Sequence, residues 1–243
     1  MRKLKIPTNL TSLAYKSIKE YILEGRLDEN SRLTEEFLSG QLGISKSPIR
    51  EALNRLEAEG LIRIEARRGA YLRSFSDKEV EDLYSLREAL EVHAVRTAPF
   101  PPALVKELHA SVKRQRALLK ANDKARYIDE DVSFHATLAR ATGNARLCEV
   151  LQNVQNQIWL FRRKTYTLSS TTAPDAHDAL VDAIERDDRQ AAEEIMSRHI
   201  SSVRKKLLEH LGKEAHRDKG PAAAPRKLSL AASEVEAEVG QEA

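Results

Sequence analysis

The chain has 243 residues, 41% of them hydrophobic and 32% charged, the balance of a globular protein long enough for two cores rather than of a disordered one. No run of 18 apolar residues occurs and the opening MRKLKIPTNL lacks the apolar centre of a signal peptide, so no membrane partner is expected and the cytoplasm is the expected compartment. The single cysteine, Cys148, excludes an internal disulfide or a thiolate-only zinc site and reads as a small core residue.

The net charge of +3 is uneven, because residues 1 to 75 carry 14 Lys and Arg against 10 acids, or +4, and the remainder 26 against 27, or −1. A basic excess confined to one part of a chain is an electrostatic footprint for nucleic acid. Residues 1 to 10 form a basic arm without apolar pattern and are expected to be disordered. Residues 11 to 25 carry Leu13, Ala14, Ile18, Tyr21 and Ile22 at helical spacing and stop at Gly25, which predicts a scaffold helix. Two short helices then fill 33 to 56. Thr34 can cap the first, whose apolar side is Phe37, Leu38 and Leu42, and Gly43 supplies the left-handed residue that ends it. The second starts in Ser45, Lys46 and Ser47, tolerates Pro48 in its first turn, and buries Ile49, Ala52, Leu53 and Leu56. Its other side aligns Lys46, Arg50 and Asn54, a row of donors suited to phosphates and base edges. Residues 61 to 73 read as two strands around a turn at 65 to 69, with Arg67 and Arg68 at the tip and Gly69 free to take positive φ. Helix pairs with exposed cations are common in helical proteins. A basic hairpin directly after one makes a winged helix-turn-helix, a reader of double-stranded DNA.

These residues carry a resemblance to the GntR family of bacterial transcription regulators. Its pattern of Leu-x-Glu, Gly-Val-Ser-Arg-Thr-Pro-Val-Arg-Glu-Ala-Leu, Leu-x-x-x-Gly-Leu and Arg-Gly is met nearly position by position over 33 to 72. The resemblance implies that Ser45, Lys46, Ser47 and Arg50 contact DNA and that Arg68 and Gly69 lie where the wing enters the minor groove. One position departs: the family often has Arg where this sequence has Glu36.

After the hairpin, Ser76 and Asp77 open a long amphipathic helix that Pro99, Pro101 and Pro102 end. Further helices are predicted over 102 to 122, 126 to 142, 144 to 168, 174 to 187 and 188 to 211, with breaks at Gly143 and the 169 to 174 loop. No strand-like alternation follows residue 75. The expected fold is therefore mainly α: a winged helix-turn-helix domain over 1 to 75, an antiparallel bundle of six helices over 76 to 211, and a disordered tail over 212 to 243 that is poor in large apolar residues.

Within the bundle, Asp131 and His135 stand four apart on one helical face, where a carboxylate and an imidazole converge. A simple Asp–His hydrogen bond explains that pair as readily as a metal does. His177 and His199 lie almost symmetrically about a turn near 187 and 188, each roughly 15 Å from it at ~1.5 Å per residue, so in an antiparallel hairpin they face each other. One carboxylate and three imidazoles from three helices form a plausible cage for a divalent cation, zinc first, with nickel or manganese as alternatives.

The stretch 77 to 211 also resembles the FadR-type subfamily of GntR regulators, whose helical domain senses small molecules. Its Asp-x-x-x-His, Gly-Asn, His and His-Ile elements are met by Asp131 with His135, Gly143 with Asn144, His177, and His199 with Ile200. The resemblance implies a metal at these Asp and His positions. It also matches Arg87 to an arginine that reaches into the ligand cavity, where its fork of donors would clasp a carboxylate; the other reading of Arg87 is a surface ion pair with Glu91. Arg87 and Asn144 are the effector candidates, Arg162 and Arg163 weaker ones, while His93, His109, His210 and His216 are expected at the surface. The expected protein is a repressor with no catalytic residues. It would act as a homodimer on a palindromic operator, controlled by a small carboxylic or sugar acid beside the metal. Two alternatives stay open: a metal-dependent hydrolase fused to a DNA-binding module, which lacks an evident general base unless Glu149 or Asp178 serves, and a purely structural metal.

Overall fold

A computed structural model describes residues 9–27 and 31–217. Most of the basic arm, the tail from 218 onward and the side chains of Arg163 and His216 lie outside the described residues. The chain divides into two compact units, one comprising residues up to Asn54 with Ile62–Leu72, the other Arg55–Leu61 with residues from Arg73 on. The boundary expected after residue 75 thus falls after Leu72, and a short segment around the end of the second short helix groups with the bundle.

The first unit begins with α1 (Asn9–Leu23), which buries Ala14, Tyr15, Ile18 and Ile22. Leu13, expected on that face, is 52% exposed; it lies off the stripe that Ala14, Ile18 and Ile22 define at i, i+4, i+8. In α2 (Glu35–Leu42) the Thr34 hydroxyl accepts from the Phe37 N–H at 3.1 Å, and Gly43 ends the helix in the left-handed region at φ +65°. One orphan group at each end of the helix is thereby met as the sequence predicts. The helix α3 (Lys46–Ala58) buries Ile49, Ala52, Leu53 and Leu56 and leaves Lys46, Arg50 and Asn54 exposed.

The hairpin is β2 (Ile62–Glu65) paired antiparallel with β3 (Gly69–Leu72), with Ile64 opposite Ala70. A third strand, β1 (Arg32–Leu33), pairs with the other edge of β3, with Leu33 opposite Ala70. At two residues it is too short to show a period of two in the sequence. It also explains Gly69: the backbone there has φ +111°, and a Cβ would stand 2.7 Å from the Leu33 carbonyl oxygen. Glycine is required for both reasons.

The second unit contains α4 (Asp77–Thr97), α5 (Pro102–Lys120), α6 (Lys124–Ala141), α7 (Ala145–Thr165), α8 (Ala173–Glu185) and α9 (Arg189–Arg217), with a 3-10 turn at Tyr166–Leu168. Ser76 and Glu79 start α4 with a reciprocal capping box, and Ala98 ends it immediately before Pro99. The six helices match the expected ones closely, except that α9 continues to Arg217 into the segment read as tail. Helix α4 packs on α6, α7 and α9, and α5 on α6 and α8, with α8 returning along α9. Tyr84, Leu108, Phe134, Leu138, Leu180, Met196 and Ile200 are among the buried residues that hold them together. Cys148 packs, partly buried, on Ala94, Ala139, Leu147 and Leu151 as a small apolar residue. No helix among the described residues is long and apolar enough to cross a membrane.

Candidate functional site

Two places concentrate functional chemistry. In the first unit, α3 and the hairpin flank a cleft of about 500 Å³ whose lining includes Arg32, Lys46, Arg50, Asn54, Arg67 and Arg68. Ser45, Lys46, Ser47, Arg50, Asn54 and Arg68 are all exposed, and Gly69 lines the same cleft. Three of these cations meet a carboxylate. Arg50 donates through Nε and Nη2 to the two Glu35 oxygens at 2.7 Å each, Lys46 Nζ lies 3.2 Å from Glu36 Oε1, and Arg68 Nη1 lies 3.1 Å from Glu65 Oε2. The hydrogen bond from Arg50 lowers the pKa of Glu35. Exposed pairs of this kind exchange readily, so a phosphate or base edge can replace the carboxylate.

In the second unit, the interior of the bundle is polar where helices converge. His135 on α6, His177 on α8 and His199 on α9 offer one ligand nitrogen each, all within 4.8 Å of one another. His177 Nε2 and His199 Nε2 are 3.3 Å apart, close to the ~3.4 Å that two donors span around a tetrahedral ion with ~2.1 Å bonds. Two of the rings are fixed from behind. His135 Nδ1 meets the Glu91 carboxylate in a very short contact, and His177 Nδ1 meets Gln115 Oε1 at 2.8 Å. A ring nitrogen held by an acceptor carries the proton, which turns the Nε2 lone pair inward. Burial holds His177 at about 3, against the pull of Asp131, and His199 well below its usual value. Burial alone would raise Glu91, yet Arg87 and His135 outweigh it and bring it down to about 2.

The fourth expected ligand behaves differently. Asp131 Oδ2 is 3.8 Å from His135 Nε2 but 2.6 Å from Arg162 Nη1. Burial disfavours its charge, but Arg162 and the facing imidazoles keep it well below the ordinary carboxylate range. Among the described residues His135 Nε2 has no hydrogen-bond partner, and Asp131, although paired with Arg162 through Oδ2, accepts no hydrogen bond of good geometry on either oxygen. Three converging imidazole nitrogens with unmet polar atoms in a buried interior suit a divalent cation.

Arg87 is 2% exposed and its Nε donates to Glu91 Oε1 at 2.7 Å. The pair with Glu91 therefore forms, but inside the bundle rather than at its surface. Asn144 is not brought to this interior: it is exposed, and its side chain caps α7 by accepting from the Leu147 N–H at 3.1 Å. The Gly-Asn signal reports a helix start here. Arg162 is buried against Asp131. Of the histidines expected at the surface, His93 is exposed, His210 is partly buried, and His109 is partly buried beside Glu185 and Asp178. The two candidate bases lie elsewhere: Glu149 is exposed and pairs with Arg146, and Asp178 is held by Arg116. Gln115 escaped the sequence reading altogether, and in it Glu91 is only a partner of Arg87, not the support of His135. Both are polar residues on a buried stripe, as Gln115 is with Leu108 and Val112, and that break of pattern was the available signal.

Residues 10–72 match the family model described as bacterial regulatory proteins, gntR family, and residues 82–202 match the FCD domain. An HTH-type transcriptional regulator of Bacillus subtilis, YdhC, whose own function is uncharacterised, is 28% identical over 86% of this chain and 90% of its own length. The gluconate operon transcriptional repressor of the same species is 26% identical over 76% of this chain and 80% of its own. Among solved structures, E. coli McbR/YncC shares the fold with a TM-score of 0.73 at 18% identity, covering 84% of this chain and 99% of that one. The family model and the two relatives are described as transcription regulators rather than enzymes, which sets the hydrolase reading aside. The chain belongs to the GntR family of bacterial DNA-binding transcription regulators, with an FCD effector-binding domain following its winged helix-turn-helix.

Proposed function

We propose that this regulator is a repressor that binds a palindromic operator as a homodimer and answers to a small carboxylic or sugar acid bound beside a divalent cation in the FCD domain. The observation that carries the reading is the convergence of His135, His177 and His199, two of them held from behind by Glu91 and Gln115. Asp131 is the fourth ligand, and zinc, nickel and manganese all accept this donor set. The cation would supply an open position for an anionic oxygen. Arg87, buried within the same network, is the donor for the other end of the effector. Repression and a sugar acid agree with the name of the gluconate operon repressor. DNA reading falls to Ser45, Lys46, Ser47, Arg50 and Asn54 in the major groove and to Arg68 and Gly69 at the wing.

The test is a thermal-shift screen of the purified protein against small carboxylic and sugar acids, with and without chelator. A ligand raises the melting temperature by mass action. The reading predicts a hit whose shift disappears with chelator and which weakens operator binding. A hit indifferent to chelator would reduce the metal to a structural role, and no response to any acid would remove the effector class.

A further inference from the structure

The contact between Arg162 and Asp131 is unusual for a carboxylate assigned to a metal. Nη1 approaches Oδ2 to 2.6 Å with both side chains buried, yet neither Asp131 oxygen accepts a hydrogen bond of good geometry. The guanidinium neutralises the carboxylate without satisfying its lone pairs. A buried carboxylate normally gains both. The three imidazole nitrogens already form one group within 4.8 Å, whereas Asp131 stands outside that group, with Oδ2 turned to Arg162.

Charge bookkeeping points the same way. Arg87 and Arg162 balance Glu91 and Asp131 among the buried side chains of this interior. A divalent cation added to that set leaves two positive charges unmatched at short range, and like charges in a poorly hydrated interior repel strongly. Arg162 also has a long jointed stem and can move its head while its backbone stays fixed.

Building on the proposed metal site, we propose that Arg162 is a resident counter-cation of Asp131, which occupies the carboxylate in the metal-free protein and must yield it when the histidines and Asp131 close on a divalent cation. Arg162 thus opposes metal binding while it stabilises the empty site. Once displaced it is a buried guanidinium without a partner, and an anion entering beside the metal offsets the excess, a monocarboxylate by one charge and a dicarboxylate by both. Metal and anion then favour each other's binding, with neither sufficient alone for a neutral interior.

The experiment measures zinc affinity alone, by competition with a chromophoric chelator, for the full-length wild type, R162M, R162Q and R162K. Gln can still donate to Asp131 without the charge, which guards against an R162M variant that does not fold. Both neutral variants are expected to bind zinc at least tenfold more tightly than wild type, a shift of about 1.4 kcal/mol, while R162K stays within a few-fold. Metal-free R162M should melt at lower temperature than wild type and gain more on adding zinc. Neutral variants that bind zinc without wild type doing so would also support the role. A folded R162Q or R162M that binds zinc no more tightly than a zinc-binding wild type overturns the counter-cation and leaves the histidine site standing. If none of the four binds zinc, the site itself falls, and this inference with it.

Discussion

Arg50 and Lys46 pair with Glu35 and Glu36, so in the proposed DNA-reading role they would exchange one partner for another rather than act as free cations. The net gain is a difference. Arg50→Ala should still cost ~1 to 3 kcal/mol of specific affinity if it reads a base edge, and Lys46→Ala should reduce the salt slope by about one phosphate contact. Glu36 stands where the family often has Arg, and it holds Lys46 at 3.2 Å. Releasing Lys46 by Glu36→Gln should therefore raise DNA affinity by at most about fivefold, because an exposed pair is worth ~0.2 to 1 kcal/mol. Fluorescence anisotropy on operator and random duplexes, over a salt series, separates these effects. Unchanged binding in all three variants would move the reading surface elsewhere. At this scale the sequence displayed Lys46, Arg50 and Asn54 as a row, but not their carboxylate partners, since Glu35 lies 15 residues from Arg50 and its reach depends on how α2 crosses α3.

Helices and their ends were the most legible elements. Thr34, Gly43, Ser76 and Pro99 act locally, so their effects can be read without tertiary structure. Asn144 shows the limit of pattern matching: beside Gly143 it resembled a site motif, and its side chain caps α7 in solvent. Asn144→Ala should lower stability by ~1 kcal/mol in chemical denaturation and leave zinc uptake unchanged. A loss of metal or effector binding at unchanged stability would return it to the site. The capping box of α4 has a signature in pH. Glu79 accepts from Ser76 and Arg73, which lowers its pKa from 4.5 to about 2. A depressed carboxylate contributes stability above its unfolded value and loses it as pH falls toward the folded one. Wild type should therefore lose stability relative to Glu79→Gln between pH 4.5 and about 2, measured by urea denaturation. Parallel curves for the two proteins across that window would contradict the assignment. The strand β1 and the pairs Glu91 with His135 and Gln115 with His177 were illegible, because each depends on partners 37 to 62 residues away in sequence.

For the whole molecule, one α3 reads only a few base pairs, and a useful operator needs two copies related by a two-fold axis. Sedimentation of the full chain at micromolar concentration should give a dimer, and a monomer that still bound its operator tightly would contradict that arrangement. The division of labour between a DNA-reading unit and a helical effector unit was readable because charge excess, turn chemistry and helical period change together near residue 75. In the proposed function, the coupling between DNA binding and effector binding depends on the histidine centre. Because His135, His177 and His199 come from three different helices, His199→Ala should lower metal affinity and metal-dependent thermal stability together. Elemental analysis of wild type, D131A, H135A, H177A and H199A, purified without chelator or a histidine tag, tests this most directly. The account predicts about one divalent cation per wild-type chain and a clear loss in each variant; a wild type that takes up none of zinc, nickel or manganese would contradict it.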